Sequence, residues 1–388
     1  MKKGKESSST GLDQTSQKKT QKFLMIGPKT KTLINFRGDL LCDIKRRGYD
    51  VVVVAPEDDN KDFFEKNKIR LRQLSLNKNS VSLFDSLTYC KKMRQIIEEE
   101  QPDKVFSYTI KPVIFGSIAA KRAGVEEIYS LICGLGLLYS SNALSIRILR
   151  MVAGILYRYA LKYNDKVFFQ NRDDIEEFTR RGYVPYEKCE LVNGSGVNLE
   201  RFKRNKIPKN KISFLMVSRV LKEKGVLEYF EAAKIVKKKY PEAEFVYVGA
   251  IDKNKNAIGL DILRPYNEAG IVEYVPETNE VAKYVAESSV FVLPTYYREG
   301  IPRTLLEATA MGRPIITTKT PGCKEVVTEG KNGLFVKVRD SQDLADKMIF
   351  MIKNQEKLQE MGDKSYELCL EKFDVDIVNG GMLKIMEI

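Results

Sequence analysis

The apolar positions of this chain come in short unbroken runs rather than in alternation, and each run is followed by a stretch of helical spacing. Phe23-Leu24-Met25-Ile26 ends at Gly27, residues 36–47 carry apolar side chains at helical spacing and stop at Gly48, and Val51 to Ala55 forms the next run before Pro56. The same alternation predicts strands near 69–76, 104–108, 127–132, 166–169 and 189–192, with helices over 82–100, 112–123, 143–163 and 172–181. A polar, basic, proline-containing stretch at 203–211 then interrupts the pattern and reads as an interdomain linker. A second series follows, with strands near 214–217, 244–248, 272–275, 290–293 and 314–316. Its helices are expected over 227–238, 263–269, 279–287, 341–353 and 356–372, with a last segment at 374–388. Continuously apolar strands alternating with helices imply parallel sheets covered on both faces. The expectation is an α/β chain of two Rossmann-like parallel-sheet domains facing a cleft. They occupy 22–202 and 212–372, preceded by a basic polar arm at 1–21 and followed by a helical segment at 373–388 that returns to the first domain.

Composition narrows the chemistry. The chain of 388 residues contains no histidine, which removes His-based zinc sites, Ser-His-Asp triads and imidazole bases, so proton transfer must use other side chains or the substrate. Its six cysteines have no C-x-x-C spacing and fit a reduced, cytoplasmic protein. A formal charge of +13 calls for an anionic partner, although part of the excess lies in the arm. No apolar run approaches the roughly 18 residues of a membrane span, and the basic start lacks the apolar core of a secretory signal.

Candidate site residues cluster where strands end. In Y-R-E-G-I-P-R-T-L-L-E, residues 297–307, Pro302 suits the first turn of a helix and Gly300 frees the backbone before it. The amides of Gly300, Ile301, Arg303 and Thr304 are then expected to face an anion at the positive end of that helix, flanked by Glu299 and Glu307. Spacing alone leaves open that both are ordinary solvent-facing glutamates. Arg219 and Lys224 bracket another strand-to-helix turn, either as solvated charges or as a planar fork and a point charge on one diphosphate. Gly27, after the first strand, and Gly134 and Gly136, after the fifth, mark loops on the ligand-binding edge of an open sheet, or plain turns; the first is no G-x-G-x-x-G loop. In the helix at 143–163, Arg147, Arg150, Arg158 and Lys162 share about a third of the circumference. That stripe reads either as the solvated edge of a core helix or as a helix at an anionic membrane surface, guiding a lipid-linked phosphate.

These stretches, together with A-M-G-R-P-I-I-T-T, P-G-C-K-E-V-V and N-G-S-G-V-N-L-E-R-F, resemble the retaining, GT-B-fold glycosyltransferases of family 4 over nearly the whole chain after the arm. I-N-F-R-G-D-L, Y-T-I-K-P and Y-Y-R-E-G-I-P-R are similar to bacterial N-acetylgalactosaminyltransferases acting on polyprenyl-diphosphate-linked glycans in capsule, O-antigen or N-glycan assembly. The resemblance implies that Arg219 and Lys224 contact the donor diphosphate, Glu307 the ribose hydroxyls and Glu299 the donor sugar, with neighbouring amides on the phosphate. Glu299, Arg219 and Lys224 would carry catalysis, the two cations by stabilising the leaving phosphate, which takes the acceptor proton itself. It also places Asn35, Arg37 and Lys111 on the acceptor side with Gly27, Gly134 and Gly136. A UDP-sugar donor, a polyprenyl-diphosphate-linked glycan acceptor, an anionic membrane surface, no nucleic acid, no metal and no cofactor complete the expectation, for an enzyme peripheral on the inner face of the cell membrane. The chain departs from relatives that carry a histidine near the donor sugar. A GT-B sugar-nucleotide epimerase and a non-catalytic polyanion or nucleic-acid binder are the alternative readings; no basic-aromatic RNA-binding module supports the latter.

Overall fold

The computed structural model describes residues 20–56, 60–75, 83–140, 143–251 and 257–388; most of the predicted arm lies outside them. The apolar runs form two wholly parallel sheets. The first contains β1 (Lys22–Ile26), β2 (Asp50–Ala55), β3 (Arg70–Gln73), β4 (Lys104–Tyr108), β5 (Glu127–Ile132), β6 (Lys166–Phe169) and β7 (Cys189–Leu191), in the order β3-β2-β1-β4-β5-β6-β7. The second contains β8 (Ser213–Val217), β9 (Glu244–Val248), β10 (Glu273–Val275), β11 (Val290–Leu293), β12 (Ile315–Thr318) and β13 (Gly333–Val336), in the order β10-β9-β8-β11-β12-β13. The central strands explain why the runs are unbroken. β4, β8, β11 and β12 are buried at every position because helices cover both sides, so no position is left for a polar residue to reach water.

Strand order fixes where a ligand can enter. In each sheet the chain builds towards one edge and then jumps back, between β1 and β4 in the first and between β8 and β11 in the second. The loops leaving those four strands diverge at their carboxyl ends and open a crevice in each domain.

Several elements differ in detail from the periodicity. The helix expected over 112–123 begins as a wide turn, Pro112–Gly116, and becomes α-helical only over Ser117–Arg122. A Cβ at Gly116 would lie 2.6 Å from Ser107 Oγ, so this turn presses directly on β4. The helix over 356–372 ends at Leu368, and a second wide turn, Cys369–Phe373, redirects the chain into the closing helix Val375–Ile385. Val378, Met382, Leu383 and Met386 of this last stretch lie in one core with Phe23, Met25 and Leu41 of the first domain, and Asn379 Nδ2 donates to Asp43 Oδ2 at 2.6 Å. The stretch 203–211 is held too: the guanidinium of Arg313, fully buried, donates to Asn205 Oδ1 at 2.6 Å and to Val285 O at 2.9 Å. Burial without a carboxylate partner pushes that guanidinium down to about 10.

Candidate active site

The loop leaving β8 and the loop leaving β11 are stitched together. The carbonyl of Glu223 accepts from Thr295 Oγ1 at 3.0 Å and from the amides of Tyr296 and Tyr297 at 2.8 and 3.0 Å. Gly225 makes this approach possible: its φ is +78°, and a Cβ there would stand 2.2 Å from Pro294 O. With the loops so close, Lys224 Nζ reaches both carboxylate oxygens of Glu299, at 2.6 and 2.7 Å, and both side chains are largely buried. One turn further, Arg303 Nε donates to Glu307 Oε1 at 3.2 Å while its Nη1 donates to Ser195 Oγ at 3.2 Å. Burial raises the Glu307 carboxyl and the guanidiniums of Arg303 and Arg201 oppose the rise.

Arg219, Arg303, Thr304 and Glu307 line one cavity of about 320 Å³ between the domains, with Asn35 and Phe36 on its first-domain wall. Lys224 and Glu299 are not in its lining and hold each other beside it. Pro302 stands one residue before the helix Arg303–Ala310 rather than in its first turn, with extended backbone. Two of the four amides expected on the anion are engaged elsewhere. Gly300 N donates to Cys133 O at 3.0 Å and Ile301 N to Gln170 Oε1 at 3.2 Å, because the first domain closes on this loop and takes those donors.

Gly134 and Gly136 form the other side of that seam and are more than plain turn residues. Both have positive φ; a Cβ on Gly134 would lie 2.2 Å from Gly300 N, and Gly136 N donates to Arg298 O at 2.6 Å. Asp174, wholly buried at the start of the helix Arg172–Arg180, lies 3.5 Å from Arg298 Nε, and its carboxyl is pushed up to about 6 by burial against the opposing pull of Asn171 and Arg298. Gly27 is buried, its α-carbon packed so that a Cβ would meet Leu33 at 2.7 Å. Arg37 lies buried between Cys133, Tyr108 and Met382, its guanidinium lowered by burial. Lys111 belongs to a separate cavity of about 250 Å³ with Asp85, and burial lowers its ammonium.

Periodicity did not single out Lys31, Glu277 or Thr278, which also line the interdomain cavity; Lys31 Nζ and Glu277 Oε1 meet across it at 2.7 Å. No local pattern marks a pair 246 positions apart. Arg201 and Ser195 carried a signal, the N-G-S-G-V-N-L-E-R-F stretch, without an assigned role. Among the described residues, no group of three or more Cys, Asp or Glu side chains is placed to hold a metal ion, and no helix is long and apolar enough to cross a membrane.

The basic stripe lies on the helix Leu144–Leu161, where the structure adds an apolar face that is not core. Ala153, Tyr157 and Ala160 pack inward, whereas Leu144 is 71% and Ile155 64% exposed, in line with exposed Ile148, Met151 and Val152. Arg147 and Arg158 edge this face; Arg150 is turned towards Leu138 O, and Lys162 lies over the rings of Tyr159 and Tyr163.

Residues 198–368 match the family model for glycosyl transferases group 1, and residues 36–171 match that for glycosyl transferase 4-like proteins. The chain is 26% identical to the N,N'-diacetylbacillosaminyl-diphospho-undecaprenol alpha-1,3-N-acetylgalactosaminyltransferase of Campylobacter jejuni, over 92% of this chain and 96% of that one. It is 25% identical to the UDP-Gal:alpha-D-GlcNAc-diphosphoundecaprenol alpha-1,3-galactosyltransferase of Escherichia coli, over 72% of each. In fold it is similar to Anabaena HepE in complex with UDP and glucose, with a TM-score of 0.76 at 18% identity over 95% and 99% of the two chains. A sucrose-phosphate synthase of Thermosynechococcus elongatus gives 0.79 at 17% identity over 95% and 98%.

Proposed function

The chain belongs to the glycosyltransferases of group 1, with the GT-B architecture of two facing parallel-sheet domains, and from this premise we propose its reaction. It moves a hexose or N-acetylhexosamine from a UDP-sugar to a polyprenyl-diphosphate-linked saccharide, with retention at the anomeric carbon. One observation carries the reading: two cation–carboxylate pairs, Lys224–Glu299 and Arg303–Glu307, stand beside and within a cavity that Arg219 also lines, at the crevice of the second sheet.

The donor diphosphate takes Arg219 and Lys224 as its cations, with the amides of Arg303 and Thr304 and the start of their helix adding partial positive charge. Relieved of Lys224, Glu299 accepts from the donor sugar, and Glu307, oriented through its Oε1 by Arg303, accepts from the ribose hydroxyls. The bond between the anomeric carbon and the phosphate oxygen breaks while the acceptor hydroxyl bonds to the same face of that carbon. The departing phosphate oxygen receives the acceptor's proton, so no histidine is required. Charge developing on that oxygen is met by Arg219 and Lys224, which fall into place before the reaction and supply most of the rate enhancement. The cations serve where other transferases use a metal, and the reaction proceeds without one. On the first-domain side the approach of the acceptor is formed by Asn35, which lines the cavity, and by Gly134 and Gly136 at the seam; Gly27 and Arg37 are buried in packing and Lys111 lies in a separate cavity, so these three support the wall rather than meet the acceptor. The exposed apolar face of the helix Leu144–Leu161, edged by Arg147 and Arg158, rests on the anionic inner surface of the cell membrane where that acceptor is displayed.

The relatives named for undecaprenyl-linked acceptors support this acceptor class, and HepE, solved with UDP and glucose, supports the donor class. The test is product analysis with a panel of UDP-sugars and a polyprenyl-diphosphate-linked monosaccharide in the presence of EDTA. An α-linked product from the α-configured donor is expected. A β-linkage overturns retention, and loss of activity restored by Mg²⁺ overturns metal independence. Epimerisation of the UDP-sugar without acceptor would replace the transferase by the epimerase reading.

A further inference from the structure

Another cavity lies outside the donor site. It is a groove of about 510 Å³ beside the helix Leu144–Leu161, lined by Arg147, Arg150, Arg158 and Arg181; no carboxylate contributes to its lining, and Arg181 is held through its Nε by Glu177 at 2.5 Å. We propose that this groove seats the diphosphate of a polyprenyl-diphosphate-linked acceptor, with the prenyl chain leaving along the exposed apolar face of the helix; the proposal rests on the reaction proposed above.

The groove is constructed by the sequence. Gly154 faces Tyr183 so closely that a Cβ would lie 2.3 Å from the Tyr183 hydroxyl, and any side chain there would close the gap between the helix and the segment after the helix Arg172–Arg180. Gly182, with φ of +66°, turns that segment so that its carbonyls meet Arg158: Nε donates to Gly182 O at 2.8 Å and Nη2 to Arg181 O at 2.9 Å. These bonds orient the Arg158 fork and leave it donors to spare. The guanidinium of Arg147, exposed on the same edge, has no partner among the described residues.

Chemistry selects the occupant. Guanidinium forks converging on a concave site match the bidentate oxygens of a phosphate better than they match a dispersed surface charge. Met151 and Ile155 line the same groove and continue into the exposed stripe through Ile148 and Leu144, so an anion bound here has an apolar track beginning at its side. An amphiphile with a compact dianionic head fits both features; a free nucleotide or a sulfated polysaccharide leaves the apolar track unused.

Position selects it too. The ring of Tyr139 is faced by Arg150 at 4.8 Å and Arg181 at 5.4 Å from the groove side, and by Arg298 at 5.6 Å. Arg298 immediately precedes Glu299, and its carbonyl accepts from Gly136 N at the seam. A diphosphate in the groove is thus separated from the donor loop by one aromatic side chain. That is where the head of a lipid-linked acceptor must lie if its sugar is to reach the donor.

The experiment measures binding of farnesyl diphosphate, farnesyl phosphate and inorganic diphosphate to the full chain with the donor site saturated by UDP. Wild type is expected to bind farnesyl diphosphate at least about tenfold more tightly than the other two, and Arg147→Gln/Arg158→Gln to lose about tenfold or more in that affinity. The single variant Arg147→Gln, whose side chain holds nothing else in place, is expected to lose several-fold. Stabilisation by UDP in each variant reports that the fold and donor site persist. Undiminished farnesyl diphosphate binding in the double variant overturns the proposal, as does absence of binding by wild type. So does a variant that loses only its attachment to phosphatidylglycerol vesicles, which would make the arginines a general membrane contact. Failure of the donor reading appears separately, as wild type that UDP does not stabilise.

Discussion

The two regions proposed to bind anions hold their positive charge in different ways. Beside the cavity of the second domain, Lys224 and Arg303 each lie against a carboxylate, with every one of those side chains at least four-fifths buried. Along the helix Leu144–Leu161 no carboxylate lines the groove, although Arg181 pairs with Glu177 at 2.5 Å; Arg158 is steered by backbone carbonyls and Arg150 by a carbonyl and an aromatic ring. Burial explains the difference. A cation taken out of water needs a counter-charge in place, whereas one at the surface is neutralised by solvent and salt. In the proposed reaction the donor site binds by exchange: a diphosphate that takes Lys224 frees Glu299 to accept from the donor sugar. The surface groove binds by addition and is open to screening.

The sharpest way to break this contrast is at Lys224. Lys224→Ala leaves Glu299 buried without its cation and the leaving phosphate without a countercharge, and should lower transfer about a thousandfold while melting stays cooperative. Turnover measured with saturating donor decides it. Between the two regions lies Asp174, whose carboxyl sits at about 6 in the folded chain against an ordinary value of 3.8. Because the folded value is raised, the protonated acid favours the fold: stability should rise as pH falls through about 6 towards 4 and be lost above it. The effect is at most about 3 kcal/mol, and Asp174→Asn should flatten this part of the melting profile. At the seam, Gly134→Ala places a Cβ against Gly300 N and should cost about 2 kcal/mol in unfolding free energy and impair transfer, with UDP still bound. Glu307→Gln removes the carboxylate proposed for the ribose and should raise the donor KM about tenfold. Smallest is the salt effect: from about 50 to 200 mM salt, acceptor KM should rise several-fold and donor KM hardly at all.

The fold was legible because its physics is local. Unbroken runs such as Phe23-Leu24-Met25-Ile26 and Val290-Phe291-Val292-Leu293 announce buried parallel strands, and the glycines and prolines after them announce the turns. Charged groups at strand ends were legible for the same reason, since Arg219, Lys224 and Glu299 follow such runs in the connecting loops, and Glu307 lies in the helix that the last of these loops enters. What the first domain does to them was not. That Gly300 and Ile301 give their amides to Cys133 and Gln170 depends on residues more than 130 positions away, and Lys31 meets Glu277 over a longer gap still. Helical spacing in the stretch 143–163 found the basic stripe but left open whether the apolar remainder was core or faced a membrane surface. Periodicity describes one element and cannot tell which apolar side of it has a neighbour; Ala153, Tyr157 and Ala160 do, and Ile148 and Ile155 do not.

The exchange at the donor site is tested most directly by following UDP release from a UDP-sugar with and without a polyprenyl-diphosphate-linked saccharide, in wild type and in Lys224→Ala. The account predicts release that depends on the acceptor, with one sugar added to the lipid-linked glycan per UDP formed, and nearly none from the variant. Full release by Lys224→Ala, or conversion of the UDP-sugar by wild type without acceptor, would contradict it.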